Sequence, residues 1–320
     1  MKSIRILAVT ALSGVLAFGV AACGDDASDT STGGASSGGA SSLSGNIKID
    51  GSVFPFAQAA AEQFRGENSG VDIAVGESGT GGGFEKFCAG ETDISNASRP
   101  IKDDEEAPIC KKNAVEYSEV QVANDGIAIV TNKDLKIDCM TTDQLKMLWN
   151  KTSKIANYSE IDPKFPDQKV ALFGAGTDSG TFDFFTDEIN GEEGASRSDY
   201  SASEDDNVII QGVAGTPGGL GYFGFSYYEE NQDKLKALEI DGGSGCVAPS
   251  VDTAQAGAYT PLSRPLYVYA KTEALERQEV DDFLRFMLEN ETTIAEQAQY
   301  VPLNQGQLDE NLAKLDEATS

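Results

Sequence analysis

Residues 46–75 read NIKIDGSVFPFAQAAAEQFRGENSGVDIAV, and this stretch decides the fold. Asn46–Asp50 alternates apolar and polar side chains as a strand does, and Val71–Val75 does so again. Between them, Pro55–Arg65 places apolar residues at helical spacing, with proline near the start, where its missing N–H is no loss. The same alternation recurs outward. A short helix is expected over Gly82–Ala89 after a glycine-rich turn, and Glu119–Val130 reads as strand, turn, strand. Further helices are expected over Thr142–Trp149, capped by Thr141 or Thr142, over Ser179–Ile189 and over Val280–Leu288. Val170–Phe173 and Tyr267–Tyr269 read as strands, and Glu204–Val213 is amphipathic. Strands separated by helices predict an α/β fold with open sheets covered by helices.

Composition narrows the function. The 320 residues hold 24 Lys+Arg, 52 Asp+Glu and no histidine, for a net charge of −28. Without histidine there is no Ser-His-Asp triad, no Cys-His pair and no His-ligated zinc. A charge this negative argues against nucleic acid, or anionic lipid, held on a broad basic face. No cofactor and no metal are expected.

The chain opens MKSIRILAVTALSGVLAFGVAA, with Lys2 and Arg5 ahead of an apolar run too short for a good membrane span. This fits a secretory signal over 1–22. Val20-Ala21-Ala22-Cys23 resembles a bacterial lipobox, in which Cys23 would become the lipidated first residue. Residues 23–45 are then lipidated cysteine and a flexible Gly/Ser/Ala/Asp tether. Removing the leader takes away two positive charges, so the membrane link is expected through lipid only and the location extracytoplasmic.

In open α/β folds ligands sit where strands end and helices begin, and helix N-termini favour anions. Three such junctions share one chemistry: Asp50-Gly51-Ser52-Val53-Phe54-Pro55, Ser78-Gly79-Thr80-Gly81-Gly82-Gly83-Phe84, and Gly176-Thr177-Asp178-Ser179-Gly180-Thr181-Phe182. Ser95-Asn96-Ala97-Ser98-Arg99-Pro100 adds hydroxyls and a guanidinium suited to an oxyanion. Each segment alone reads as a capped helix after a turn. Together they predict a cage of neutral donors plus one cation around a small tetrahedral anion.

The run SGTGGGFEKFCAGETDISNASRPI (78–101) closely resembles the phosphate-binding lipoproteins that feed the bacterial phosphate ABC transporter. GTDSGTFDFF (176–185), SASEDDNVIIQGVAGTPGGLGYFGFSYY (201–228) and IDGSVFPFAQAAAEQF (49–64) resemble the same family, across nearly all of 46–304. The resemblance implies a type II periplasmic-binding-protein fold: two α/β lobes, two crossing strands and phosphate in the cleft. Lobe one would be 46–130 plus 260–320 and lobe two 131–259, with crossovers near Gly126–Thr131 and Arg264–Tyr269. It further implies phosphate donors at Ser52, Phe54 N–H, Ser78, Thr80, Ser98 and Arg99 from one lobe. Ser179, Gly180 N–H and Thr181 would donate from the other. The expected partners are inorganic phosphate and the permease subunits of an ABC transporter, with the protein a monomer and not an enzyme.

Two departures stand out. Some relatives carry an Arg where this chain has Ala175, so Arg99 or Arg197 is left to supply the charge. Relatives also often have a longer Gly-Ser-Ser-Thr loop where this chain has Gly51-Ser52-Val53. Rejecting sulfate requires an acceptor for the proton of HPO₄²⁻. Asp178 is the candidate, and Asp50 reads as a strand-end residue.

Four cysteines besides Cys23 allow three pairings. Cys88–Cys110 with Cys139–Cys246 is preferred because each bridge then stays within one lobe; zinc lacks any C-x-x-C spacing. The acidic runs Asp103–Glu106 and Glu204–Asp206 read as solvated helix starts. Trp149 with Met147 and Leu148, the phenylalanines 182, 184 and 185, and the aromatic residues of 222–228 read as core. The competing functions are a binding protein for sulfate, molybdate or tungstate, an exported phosphoester hydrolase, and an anchored protein that does not transport.

Overall fold

The structure is a computed structural model that describes residues 43–319. The leader, Cys23 and the tether up to residue 42 lie outside the described residues. In chain order, β1 (Ser44–Gly51), α1 (Phe54–Glu67), β2 (Gly70–Val75), α2 (Gly79–Cys88), β3 (Ile94–Ala97), α3 (Ala107–Lys112) and β4 (Tyr117–Thr131) come first. Next are β5 (Cys139–Thr141), α4 (Thr142–Trp149), β6 (Ala171–Ala175), α5 (Gly180–Phe185), β7 (Ser201–Ser203), α6 (Asp206–Gly215) and β8 (Gly219–Gly224). They lead to α7 (Phe225–Glu229), β9 (Lys236–Ala237), β10 (Glu239–Asp241), β11 (Cys246–Val247) and α8 (Val251–Gln255). Last are β12 (Ser263–Lys271), α9 (Thr272–Leu275), α10 (Gln278–Glu289), α11 (Glu291–Gln297) and α12 (Gln305–Ala318).

The main sheet runs β2-β1-β3-β12-β4-β8-β6-β7, with β9 also paired to β4. β1 is parallel to β2 and β3, and β6 is parallel to β7 and β8, as β-α-β units require. Between these halves, β12 and β4 run antiparallel to each other and to their outer neighbours. A second sheet, β11-β10-β5, stands apart.

The apolar interior divides where the sheet does. One core joins Ile47, Phe56, Phe64, Val120, Val122 and Ala123 to Leu266, Val268, Phe283 and Met287. Another joins Ile127, Ile129, Leu148, Trp149, Phe185, Tyr222 and Leu262. Trp149 is fully buried, with Phe185 stacked on Tyr222 at 3.8 Å, so these aromatics are packing groups. Met147 is not: it is 44% exposed on the outer side of α4.

Both cores draw on β4, and here the expected strand, turn, strand is corrected. Asn124-Asp125-Gly126 has turn chemistry, yet the three residues face Pro265, Arg264 and Ser263 in continuous register. Asn124 also exchanges backbone hydrogen bonds with Val301, both 2.8 Å. Pairing on both sides outweighs local turn preference. The result is one strand of 15 residues, about 50 Å long.

Two helix boundaries also differ. The helix expected from Gly82 begins at Gly79, because the glycine run is itself helical. A Cβ on Gly83 would lie 2.6 Å from the Gly51 Cα, so only glycine lets α2 lie this close to the end of β1. The helix expected over Ser179–Ile189 is α5 followed directly by a π-helical turn, Thr186–Asn190.

Both expected disulfides are formed: Cys88–Cys110 ties α2 to α3, and Cys139–Cys246 ties β5 to β11. No helix among the described residues is long and apolar enough to cross a membrane.

Glu291 braces the segment that pairs with β4. It is 1% exposed and accepts the Leu303 N–H at 2.9 Å. Burial pushes its carboxyl up from 4.5 to about 7. The folded state therefore holds this proton more tightly than the unfolded chain. The stability it adds is full below pH 4.5 and is lost as pH rises through 7. Glu291→Gln keeps an acceptor for Leu303 and should stabilise by about 2 kcal/mol at pH 8, with the gain vanishing toward pH 4.5. Thermal melts at the two pH values check this; an equal gain at both would refute it.

Candidate functional site

The end of β1, the start of α2 and the end of β3 meet at one point. Gly51 has φ +140°, and the Ser52 N–H donates to Asn96 O at 3.0 Å. This places three hydroxyls from three separate segments in a chain. Ser52 Oγ lies 2.8 Å from Thr80 Oγ1, and Thr80 Oγ1 lies 3.0 Å from Ser98 Oγ. The Ser98 N–H also donates to Thr80 Oγ1, at 3.1 Å.

Two helices start here without side-chain caps. The N-cap of α1 is Val53, held left-handed at φ 57°, whose side chain has no oxygen to offer. The N-cap of α2 is Ser78, whose hydroxyl is turned to Asp50 instead. Neither helix has an acidic residue in its first turn. The first-turn N–H groups, Phe54 among them, have no side-chain cap and are open to an anion, and at α1 no acidic residue in the first turn offsets the partial positive charge of the helix end.

Asp50 is 7% exposed, and its oxygens are taken. It accepts the Ser78 N–H at 3.1 Å and the Ser78 hydroxyl, and it pairs with Lys86 Nζ at 2.5 Å. Burial alone would raise its carboxyl, but the hydrogen bonds from Lys86 and Ser78 hold it below the usual range. Asp50 thus positions Ser78 and α2, more than a strand-end residue would.

Arg99 stands beside Ser98, with its guanidinium 5.6 Å from the centre of the Phe84 ring. Its two terminal nitrogens hold Glu106 at 3.1 and 2.6 Å. Burial would raise the Glu106 carboxyl, but Arg99 and the Lys102 N–H hold it low. Glu106 is therefore an orienting partner of Arg99, which corrects its assignment to a solvated acidic run; Asp103 and Asp104 are exposed as expected. The Cys88–Cys110 bridge closes the loop that carries Ser98, Arg99 and Glu106.

The opposite junction follows β6. Ser179 caps α5 by accepting the Thr181 N–H at 3.2 Å. Asp178 is exposed, and its N–H donates to Glu204 Oε1 at 3.3 Å. Gly180 is exposed at the first helical position. Among the described residues no hydrogen bond joins Ser179–Thr181 to the Ser52–Thr80–Ser98 chain.

Arg197 does not replace the arginine missing at Ala175. It is 7% exposed, and its donors go to Leu148 O at 3.0 Å, Ile155 O at 3.1 Å and both oxygens of Asp199. It stitches the second core together and has no face toward a ligand.

A cation that sequence reasoning passed over is Arg264. It is the second residue of β12 and lies opposite Asp125, where β4 passes from one core to the other. Its guanidinium lies 3.6 Å from the centre of the Phe184 ring on α5. The signal was an Arg facing an Asp across a strand pair, visible only once Asn124–Gly126 is read as strand.

The chain matches the model of the PBP superfamily domain over residues 34–291. It is 42% identical to the SphX protein of Synechococcus elongatus over 262 residues, 80% of this chain and 77% of that one. It is 40% identical to the phosphate-binding protein PstS of Staphylococcus saprophyticus over 278 residues, 85% of each chain. Among solved structures, a possible phosphate binding protein from Planctomyces limnophilus superposes with a TM-score of 0.83 at 44% identity. That match covers 87% of this chain and 100% of the other. Two halves joined by antiparallel crossing strands, the matched model and these relatives agree: the chain belongs to the PBP superfamily and, within it, to the family of the phosphate-binding protein PstS and of SphX.

Proposed function

We propose that this protein captures inorganic phosphate outside the cytoplasm and delivers it to an ABC-type permease, and that it catalyses no reaction. The observation that carries the reading is the Ser52–Thr80–Ser98 hydroxyl chain set between two uncapped helix starts. Such a cluster binds a tetrahedral oxyanion through neutral donors, which an acidic protein can hold without a broad basic surface. Ser52, the Phe54 N–H, Ser78, Thr80, Ser98 and Arg99 line one lobe, 46–130 plus 260–320. Ser179, the Gly180 N–H and Thr181 close from the other, 131–259, and Asp178 accepts the phosphate proton. A lipid on Cys23 anchors a monomer to the membrane. The 40% identity to the phosphate-binding protein PstS supports this reading.

Titration calorimetry of the purified protein with phosphate, sulfate and tungstate tests this. Phosphate should bind saturably and far more tightly than the other two. Thr80→Val, nearly the same shape, removes the central hydroxyl and should raise the phosphate Kd at least ~10-fold. Tighter sulfate or tungstate binding would change the ligand. Turnover of a chromogenic phosphoester, lost in Ser179→Ala, would make the protein an enzyme.

A further inference from the structure

We infer that Arg264, on the crossing strand, is the guanidinium that grips the anion from the cleft floor and does the work of the arginine absent at Ala175. The inference rests on the phosphate reading above and adds a residue to it.

Three features single out Arg264. It is held in place but not used up. Nε and Nη2 both donate to one oxygen, Asp125 Oδ2, at 3.3 and 3.2 Å, and Nη1 has no hydrogen-bond partner among the described residues. A guanidinium carries five N–H donors, so an oriented side chain with open donors remains. The other candidates are engaged: Arg99 bidentately on Glu106, Lys86 on Asp50, and Arg197 on buried carbonyls.

It also packs against the helix that carries the lobe-two donors. Phe184, under the guanidinium, follows Gly180 by four residues and Thr181 by three, so the three share one helix face. A flat cation stacked on that ring is locked in orientation, which Lys could not match.

Finally, the sheet register sets a lobe-one donor toward the same end of β12: Tyr267 pairs with Ala97 of β3, and Ser98 follows directly where that pairing ends, on the stretch of β12 that leads back to Arg264. Asp125 and Glu188 are the carboxylates whose fields meet at Arg264. Asp125 keeps Nε and Nη2, and Nη1 is the donor left for the ligand. The register with β3 and the ring on α5 thus set one strand residue next to elements of both donor sets.

The test is phosphate titration of wild type, Arg264→Gln and Arg264→Lys over a range of salt, with ligand-free melting of each. Arg264→Gln should raise the phosphate Kd at least ~10-fold and flatten its salt dependence, while Arg264→Lys should restore the salt dependence and part of the affinity. A merely structural latch would lower the melting temperature without changing the salt dependence of Kd, and that result overturns the inference. A Kd within twofold of wild type in Arg264→Gln overturns it too, leaving the phosphate reading intact. A wild-type protein that binds no phosphate overturns both.

Discussion

Replacing Cys139 and Cys246 together by serine should lower the unfolding free energy by about 4–5 kcal/mol, the larger part of a typical domain's stability. The bridge spans a sequence separation of 107 residues, so the unfolded chain loses much of its freedom to it. The folded state also depends on it locally. β5 has three residues and β11 two, and among the described residues both pair only through β10 in a small separate sheet. Ladders this short are marginal without a staple. Met140 and Ile240, buried in the second core, would lose their anchorage as the sheet frays. Guanidinium unfolding of the variant against the oxidised protein measures the change. A loss under ~1 kcal/mol would mean that native contacts, not the cross-link, hold β5 and β11.

Gly51→Ala is expected to destabilise by more than about 2 kcal/mol and to raise the phosphate Kd more than ~100-fold. A Cβ at this position would lie 2.0 Å from the Asn96 carbonyl oxygen. That atom is backbone in β3 and accepts the Ser52 N–H, so it cannot swing away like a side chain. The φ of +140° adds strain of its own. The only relief is to separate β1 from β3, whose register joins Ile49–Ile94, Asp50–Ser95 and Gly51–Asn96. Separation carries Ser52 away from Thr80 and Ser98 and breaks the hydroxyl chain. Calorimetry and thermal melting of one preparation read both effects. A variant that binds phosphate within threefold of wild type would show that the chain is not the seat of binding.

What was legible in the sequence follows physical rules that act over short range. Alternation in Asn46–Asp50 and helical spacing in Pro55–Arg65 are local, and β1 and α1 form where they are read. The hydroxyl-bearing junctions were legible because strand ends and helix starts are where backbone donors go unpaired. That Ser52, Thr80 and Ser98 meet was expected from the resemblance and is a contact in the structure. What stayed hidden depends on distant partners. Asn124-Asp125-Gly126 looks like a turn until Ser263–Pro265 and Val301 are laid beside it. Arg264 has no motif around it, and its meaning comes from Asp125 and Phe184, 139 and 80 positions away. Arg197 looked like a spare cation because burial by Leu148 and Ile155 carbonyls leaves no trace in the local sequence.

The unbroken β4 has a mechanical meaning. Its residues pair with β12 up to Gly126 and with β8 from Ile127 onward, so no slack segment lies between the two bodies. A joint of that kind bends like a leaf spring about one axis and resists sliding or swivelling. Full and empty protein would then differ chiefly in a single angle. A docking partner could sense occupancy from outline alone, without ever touching the guest.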